Sequence, residues 1–346
     1  MSQMGQAAGP RSVSGRVSPV SILQVATGFW ASQALMTAVD LRVFTILFGG
    51  SKTAADVAAE AGIDPAAAEA LLDANCALGF LHRTGERYKN DEVSNAFLVE
   101  GSPGSYVELV RFMRDPAFGI WQSLRDTVKS GVAAVERGEE LNQTEVELAR
   151  AFHNGMYAMM TRVAEILDIE FSDYSKILDV GSHTGAGALC LARRYPHLQA
   201  TILDKAHFQP LAEEVFRSMK LEDRVRFLAG DPDQAQPDGE YDLALLPLHL
   251  SRRGRAAIPG ILQQVRSSLR SGGHVLVTEF LLEESHAEPR EAALFRLSQL
   301  ATYGPASAGA LTRADLCRLL QENGFSNVDM VGLPMFGVTA ITATKS

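Results

Sequence analysis

The sequence of 346 residues predicts an α/β protein with a mainly helical N-terminal part, and three observations support this prediction. Strand-like and helical patterns alternate from Lys176 towards the C-terminus, which is typical of a parallel sheet flanked by helices. The first strand, Lys176 to Val180, runs directly into a turn that contains Gly181 and Gly185. Residues 20 to 165 instead carry apolar residues at helical spacing, so the two parts are expected to fold differently.

The composition argues against several classes of protein. The net charge is −9, which disfavours general affinity for nucleic acids. The three cysteines, Cys76, Cys190 and Cys317, are far apart and lack the spacing of a metal site or a redox motif. They are interpreted as buried free thiols, which fits a cytoplasmic location, and no metal site is predicted.

The N-terminal residues are interpreted in two pieces. Residues 1 to 19 are predicted to be a flexible tail, because no apolar run that resembles a signal peptide follows Arg11 and Arg16. Helical spacing then continues from Ile22 to Leu47. The apolar stretch from Val20 to Val39 is interrupted by polar residues, so it is interpreted as a helix that packs against a partner and not as a membrane span.

Residues 20 to 105 are expected to form one unit with a winged-helix pattern. Helices are predicted from Ala54 to Ala61 and from Pro65 to Leu78, and a hairpin is predicted around Thr84-Gly85-Glu86. A winged helix first suggests DNA binding. The second helix, however, has no lysine or arginine with which to reach phosphates, so packing or dimerisation is the favoured role.

Residues 106 to 165 are predicted to be helices that connect this unit to the sheet, with a polar surface connection at residues 131 to 147. Methionine and aromatic residues cluster in this segment, and such clusters form either a core or an adaptable apolar pocket. Both interpretations stay open. The candidate residues for a substrate pocket, to which Tyr303 is added, are Phe112, Met113, Phe118, Trp121, Phe152, Met156 and Met159.

Residues 166 to 346 are expected to form the sheet domain. Further strands are predicted at Ala200 to Asp204, Val225 to Ala229, Tyr241 to Leu246 and Gly273 to Phe280. The polar residues at or just beyond the carboxyl ends of the strands are Asp179, Asp204, Asp231, His249 and Glu279. Ligands bind at this edge of an open α/β sheet, although a single acid there can also be a helix N-cap. Asp204 follows Gly181 at roughly the 20-residue spacing of a ribose-binding acid.

Several motifs follow one another in the order of a known family. They are Ile177-Leu178-Asp179-Val180-Gly181 with Thr184-Gly185, Asp204, Ala229-Gly230-Asp231, Leu248-His249 and Gly272-Gly273-His274-Val275-Leu276-Val277-Thr278-Glu279. Over residues 20 to 346 the chain resembles the S-adenosylmethionine-dependent O-methyltransferases of the plant caffeate and acetylserotonin type, whose pattern bacterial small-molecule enzymes share. The predicted closing hairpin, Val328 to Val331 with Phe336 to Thr342, is similar to the antiparallel end of a methyltransferase sheet.

The resemblance implies a Rossmann-like class I methyltransferase sheet with a C-terminal antiparallel hairpin, and an N-terminal winged-helix dimerisation domain. It implies a cytoplasmic homodimer of secondary metabolism that methylates a hydroxyl of a small aromatic molecule, with S-adenosyl-L-methionine as cofactor. His249 would be the general base and Glu279 would orient it.

The resemblance also implies a set of residues that hold the cofactor. The Gly181 turn would receive the methionine end, Asp204 the ribose hydroxyls, and Asp231 the adenine amino group. The full set is Asp179, Gly181, Ser182, Gly185, Asp204, Lys205, Asp231, Pro232 and Leu245.

The chain departs from the family's pattern around this site. His183 stands where the family has a glycine, and Leu250-Ser251 replaces the Asp-Trp that usually follows the histidine. Three arginines, Arg252, Arg253 and Arg255, stand where the family tends to be acidic. They form either a solvated basic turn or a contact for a carboxylate or phosphate of the substrate.

Other functions therefore stay open. A second family glutamate, which would supply a cooperating acid, is absent from Ala306 to Thr312. His183 and the missing Asp-Trp favour two alternatives. One is carbon methylation. The other is a non-methylating member of the fold, a decarboxylase or cyclase, that uses the cofactor only as an electrostatic or structural element. A non-catalytic binding protein is disfavoured by the polar residues kept at the sheet edge.

Overall fold

The structure, a computed structural model, describes residues 18–102, 104–135, 138–167, 171–237, 239–333 and 337–346. The chain divides into two compact units, Met1–Val99 and Glu100–Ser346. The sequence predicts this boundary near residue 105. The predicted tail, residues 1 to 19, lies almost entirely outside the described residues.

The N-terminal unit has the predicted helix, turn, helix and hairpin. Its helices are α1 (Val20–Ala26), α2 (Gly28–Asp40), α3 (Val43–Ile46), α4 (Ala54–Ala61), α5 (Pro65–Ala77) and α6 (Glu92–Phe97). Its strands are β1 (Lys52–Thr53), β2 (Leu81–Thr84) and β3 (Arg87–Asn90), which pair antiparallel in the order β1-β3-β2. Thr53 and Asp56 form a capping box at α4, and Asp64 caps α5. These local signals explain why the winged-helix pattern could be read from sequence.

The hairpin of this unit holds α5 through its acidic residues. Arg83 Nη1 lies 2.7 Å from Asp73 Oδ1, and Arg83 Nη2 lies 3.0 Å from Glu69 Oε1. The Tyr88 hydroxyl donates to Asp73 Oδ1 at 2.8 Å. The acids of α5 therefore face their own hairpin, which favours packing over DNA recognition for this helix.

Helices α1 and α2 expose large apolar side chains. Those between 52% and 83% exposed are Val20, Ile22, Leu23, Val25, Phe29 and Trp30. Within the part of the chain that the structure describes, Val20–Asp40 is also the one helical stretch long and apolar enough to cross a membrane, which is weak evidence by itself. Contiguous exposed apolar side chains of this kind mark an interaction surface.

The second unit begins with helices. They are α7 (Val107–Phe112), α8 (Phe118–Gln122), α9 (Leu124–Ser130) and the 28-residue α10 (Glu139–Ile166). Residues Met113–Ala117 join α7 to α8 through a kink, at which Asp115 has extended backbone angles. Because α10 begins at Glu139, the second half of the predicted polar connection at residues 131 to 147 is helical instead.

A seven-stranded sheet fills the rest of this unit. Its strands are β4 (Lys176–Val180), β5 (Gln199–Asp204), β6 (Val225–Ala229), β7 (Tyr241–Pro247), β8 (Leu269–Glu279), β9 (Phe325–Leu333) and β10 (Val338–Lys345). The helices between them are α11 (Ala186–Arg194), α12 (Gln209–Met219), α13 (Ile258–Ser268), α14 (Arg290–Tyr303) and α15 (Arg313–Glu322). The predicted closing hairpin is confirmed in β9 and β10, although Phe336 lies outside the described residues.

The order of the strands in the sheet indicates where a ligand site lies. It is β6-β5-β4-β7-β8-β10-β9, in which β10 is antiparallel to both of its neighbours and the strands from β6 to β8 pair in parallel. The order reverses between β4 and β7, and ligands bind at the carboxyl ends of strands at such a reversal. β4 leads into Gly181 and β7 leads into His249, so both predicted residues lie at this point of the sheet.

Two apolar cores hold the sheet. On one face α10 and α11 pack on β4 and β5 through residues such as Met160, Val163 and Leu189. On the other face α13 and α15 pack on β7 and β8 through residues such as Leu262, Leu316 and Val277. All residues of β7 are buried, as expected for a central parallel strand covered on both faces.

Candidate active site

The turn after β4, residues 181 to 185, is the centre of the site. Gly181 has φ +69°, and its N–H donates to the Leu203 carbonyl at 3.0 Å. A Cβ added at Gly181 would lie 2.0 Å from His249 Nδ1, so the imidazole covers the glycine directly. Glycine is therefore required here both by the backbone conformation and by the close approach of His249.

Asp179 lies beneath this turn. It is fully buried, and its Oδ2 accepts the Ala188 N–H of α11 at 3.2 Å. Burial raises the pKa of Asp179 to about 7. The contact ties the end of β4 to the first turn of α11, where a helix N-terminus presents free N–H groups.

Asp204 ends β5 and faces the same turn. Its Oδ2 accepts the His183 backbone N–H at 2.7 Å and lies 3.1 Å from His183 Nδ1, while its Oδ1 accepts the Lys205 N–H at 2.8 Å. Burial opposes ionisation of Asp204, but these donors outweigh it and hold its pKa well below the ordinary value. Asp204 is therefore a buried carboxylate at the wall of the site.

His183 bridges this carboxylate and Arg252. It has φ +64°, a left-handed conformation that is uncommon for a side-chain-bearing residue, and its ring stacks on Phe208 with centroids 4.1 Å apart. Arg252 Nη1 lies 2.8 Å from His183 Nε2. A guanidinium only donates, so Nε2 accepts and Nδ1 carries the proton that points at Asp204. Burial and the neighbouring Arg252 lower the pKa of His183, in agreement with a neutral ring.

His249 follows β7 and is 1% exposed. Its Nε2 lies 2.9 Å from Asp233 Oδ1, and Asp233 also pairs with Arg253 Nε at 2.8 Å. An ionised carboxylate only accepts, so Nε2 carries the proton and Nδ1 holds the lone pair. Nδ1 is buried and has no hydrogen-bond partner among the described residues. Burial lowers the pKa of His249, and the bond to Asp233 opposes this shift.

Glu279 does not hold the His249 ring as the sequence analysis expects. Its Oε1 accepts the backbone N–H groups of Leu250 at 2.6 Å and Ser251 at 3.0 Å, and its Oε2 is buried without a partner among the described residues. Burial raises the pKa of Glu279 to about 7. The carboxylate instead holds the backbone that follows His249, because the turn offers it two N–H donors.

A cavity of about 330 Å³ lies over the turn, within the usual size range of small-molecule sites. The predicted residues that line it are Gly181, Asp204, Lys205, His249 and Tyr303, together with His183, Arg252 and Arg253. The other lining residues were not predicted from the sequence; they are Ala133, Val135, Leu141, Glu145, Phe208, Thr302 and Ser307. These come from α10, α14 and connecting segments, where no strand-end signal marks them.

Other predicted cofactor residues lie outside this lining. Asp231 is exposed and accepts the Asp233 N–H at 3.0 Å, Pro232 beside it is buried, and Leu245 is fully buried in the middle of β7. Ser182 Oγ is buried without a partner among the described residues, and Gly185 is the N-cap residue of α11.

The methionine and aromatic cluster is mostly helix packing. Phe112 and Phe152 form an edge-to-face pair with centroids 6.2 Å apart, and Met113 packs against them. Met156 and Met159 belong to the core beneath the sheet, and Trp121 is 37% exposed. Of the predicted pocket residues, Tyr303 lines the cavity. The others are absent from its lining; they are Phe112, Met113, Phe118, Trp121, Phe152, Met156 and Met159.

The residues present fit a nucleoside cofactor with a charged tail. Asp204 stays ionised and uses three of the roughly four acceptor positions of a carboxylate. His249 Nδ1 is a buried polar atom that lacks a partner among the described residues. No group of three or more acids, histidines or cysteines suited to a metal ion is found among the described residues.

A seven-stranded sheet with an antiparallel end, a glycine turn after its first strand and an acid at the end of its second defines a methyltransferase with a nucleoside cofactor. Comparisons with known proteins agree. A family model described as an O-methyltransferase domain matches residues 121–326, and an O-methyltransferase dimerisation domain matches residues 23–100. The chain belongs to this O-methyltransferase family, whose members use S-adenosylmethionine.

Similar proteins cover nearly the whole chain. The tetracenomycin polyketide synthesis 8-O-methyl transferase TcmO of Streptomyces glaucescens is 31% identical over 90% of this chain and 92% of its own length. The 3-hydroxy-5-methyl-1-naphthoate 3-O-methyltransferase of Streptomyces sahachiroi is 30% identical over 94% of each chain. The structure of human N-acetylserotonin methyltransferase in complex with S-adenosylmethionine has a TM-score of 0.82 at 25% identity, and covers 96% of this chain and 99% of that one. The predicted fold, cofactor and enzyme class are confirmed.

Proposed function

We propose that this methyltransferase acts on a phenolic hydroxyl of a small aromatic molecule and that His249 is its general base. The observation that carries the proposal is the position of His249. Its imidazole lies against Gly181, it is held by Asp233 through Nε2, and it keeps a lone pair on Nδ1.

In this proposal His249 removes the proton from the acceptor hydroxyl. When bound, S-adenosylmethionine supplies the methyl group of its sulfonium to the acceptor oxygen. His249 is neutral at pH 7, since burial lowers its pKa, so Nδ1 is free to accept the hydroxyl proton. The imidazolium that then forms is stabilised by the Asp233 carboxylate at 2.9 Å.

Several residues have roles towards the cofactor in this proposal. Asp204 accepts hydrogen bonds from the ribose hydroxyls, and the turn at Gly181 receives the methionine end. Asp231 and Pro232 stay assigned to the adenine because they follow the next strand along the same edge. Glu279 acts on the base indirectly, by fixing the backbone of Leu250 and Ser251.

An aromatic acceptor has support from the cavity and from the relatives. Ala133, Val135 and Leu141 give one wall an apolar surface, and Tyr303 adds a ring. The Streptomyces sahachiroi relative is named for an aromatic hydroxyl, that of a naphthoate.

We also propose a cytoplasmic homodimer. The matched dimerisation domain and the exposed apolar side chains of α1 and α2 support a second copy as the cover of that face. The three free cysteines suit a reducing compartment.

The test is the mass of the product. The enzyme is incubated with S-adenosylmethionine and with 1-naphthol or 3-hydroxy-2-naphthoic acid as probes, and the products are analysed by mass spectrometry. The expected result is the gain of one methyl group on oxygen with stoichiometric S-adenosylhomocysteine. Loss of carbon dioxide, or ring closure without consumption of the cofactor, would favour the non-methylating alternative. Methylation on carbon would remove the hydroxyl assignment.

A further inference from the structure

Arg252 presents a guanidinium to the cavity and contacts only neutral acceptors in it. Its Nε donates to the Leu248 carbonyl at 3.1 Å and its Nη2 to the Gly181 carbonyl at 3.1 Å. Its Nη1 donates to His183 Nε2 at 2.8 Å, and it also interacts with the Tyr303 hydroxyl. These contacts aim the group into the site, but none of them supplies a counter-charge.

In the part of the chain that the structure describes, the neighbouring cations, unlike Arg252, are each paired with a carboxylate. Lys205 Nζ lies 3.4 Å from Glu145 Oε2, Arg253 Nε lies 2.8 Å from Asp233, and Arg255 Nη1 donates to Asp315 at 2.7 Å. Among the described residues, no carboxylate lies within ion-pair distance of Arg252. Of the three arginines that depart from the family's acidic pattern, Arg252 is thus the one whose charge is left for a ligand.

Two acids act on Arg252 from farther away. Asp204 lies on the other side of the His183 ring, to which it is bound through Nδ1. Glu279 also interacts with Arg252, but it is fully buried and its Oε1 is held by the N–H groups of Leu250 and Ser251. Neither acid forms a direct pair with the guanidinium.

The guanidinium also has donors to spare. It has five N–H groups, and the bonds to Leu248, Gly181 and His183 use three of them. The two that remain, one on each terminal nitrogen, are available to a ligand and to the Tyr303 hydroxyl. A carboxylate matches a guanidinium in charge and can accept the N–H group that Tyr303 leaves free.

We propose that Arg252 binds a ligand carboxylate in this cavity, supplied either by the methionine end of the cofactor or by the acceptor molecule. A single negative charge fits better than a phosphate dianion, because Asp204 and Glu145 line the same cavity and repel a second charge. The proposal rests on the family's cofactor and on the proposed acceptor site, but not on His249 as base.

The first arm of the test uses binding, so it does not depend on turnover. Calorimetry measures the affinity of S-adenosylhomocysteine and of its decarboxylated analogue for the parent and for Arg252→Gln. If the carboxylate comes from the cofactor, Arg252→Gln weakens S-adenosylhomocysteine about tenfold or more and leaves the analogue unchanged. Arg252→Lys, which keeps the charge, recovers part of the loss.

The second arm tests the acceptor. Binding of 3-hydroxy-2-naphthoic acid and of 2-naphthol is measured in the presence of S-adenosylhomocysteine. If the carboxylate comes from the acceptor, the parent prefers the naphthoate, and Arg252→Gln removes this preference without changing the affinity for S-adenosylhomocysteine.

Arg255→Gln is the matched control, because Arg255 is on the same turn, is paired with Asp315, and does not line the cavity. Arg255→Gln should change neither the affinity for S-adenosylhomocysteine nor the affinity for 3-hydroxy-2-naphthoic acid. An unchanged thermal unfolding transition shows that Arg252→Gln is folded. The proposal is overturned if this variant binds S-adenosylhomocysteine and 3-hydroxy-2-naphthoic acid as tightly as the parent does. That result would leave His249 and methyl transfer untouched, whereas failure of methyl transfer would leave these affinities untouched.

Discussion

His249 Nε2 lies 2.9 Å from Asp233 Oδ1, and this contact decides which nitrogen of the imidazole is basic. The carboxylate fixes the proton on Nε2, so the lone pair is on Nδ1, the atom nearest to a Cβ placed at Gly181. The base and the glycine turn therefore meet at one point of the sheet edge.

Removal of the base is expected to slow turnover without loss of cofactor binding. His249→Ala should reduce the single-turnover rate by roughly 10²- to 10⁴-fold, the range for a positioned base. The loss should shrink at high pH and with a more acidic phenol, because such an acceptor ionises unaided. The measurement is methyl transfer across a pH series with one weakly and one strongly acidic phenol. Equal rates for His249→Ala and the parent would make His249 a structural residue and favour carbon methylation.

The Asp233 carboxylate is expected to set the acid limb of the pH profile. Asp233 raises the pKa of His249 against the lowering caused by burial, so Asp233→Asn should lower that pKa further. Activity needs neutral His249 and is lost as the pH falls through this pKa; the acid limb should therefore move to lower pH. The maximal rate should fall about tenfold or more, with little change in KM, because the imidazolium loses its counter-ion.

The control for this prediction is Asp223→Asn, which alters an exposed acid outside the cavity. Long-range nitrogen–proton NMR spectra provide a second readout, since they identify the protonated ring nitrogen of His249 in the free enzyme. A parent in which Nδ1 carries the proton would refute the assignment.

His183 is expected to compete with the cofactor for Asp204. His183→Gly suits the left-handed backbone at this position and removes one donor from Asp204 Oδ2, so ribose hydroxyls gain an acceptor. Affinity for S-adenosylhomocysteine should rise about fivefold, the value of roughly one hydrogen bond. Asp204→Ala should instead weaken it about tenfold or more. Calorimetry of both variants is the check, and a weaker His183→Gly would assign His183 to ligand binding.

The N-terminal apolar face is expected to hold a dimer. Light scattering at micromolar concentration should give twice the chain mass for the parent and a smaller mass for Trp30→Asp, because Trp30 is 65% exposed within the chain. Val128→Asp is the control, since Val128 is exposed to a similar extent, 61%, in α9. A monomeric parent would contradict the prediction.

Sequence patterns located the sheet edge because its signals are local. The β6 strand has the predicted bounds, Val225–Ala229, and Gly181, Asp204 and His249 all line the cavity as strand-end residues. The periodicity of apolar residues and the glycine turns depend on residues that are close in sequence, so they can be recognised from a single sequence.

Side-chain partners could not be read in the same way. Asp233 reaches His249, and Arg252 reaches His183, only because separate loops converge in the fold. Glu279 had several possible donors, and the backbone N–H groups of Leu250 and Ser251 were the ones the turn presented. Apolar clustering likewise did not distinguish a pocket from a core, as Met159 illustrates.

Helix α10 links the cavity to the protein interior. Leu141 and Glu145 near its start line the cavity, whereas Met160 and Val163 near its end are locked into the core beneath the sheet. The helix is about 42 Å long, and a close-packed interior transmits strain along such an element. We therefore expect substitutions of different volume at Met160 to tilt the helix and change the shape of the cavity wall. Such changes would alter which molecules fit the cavity.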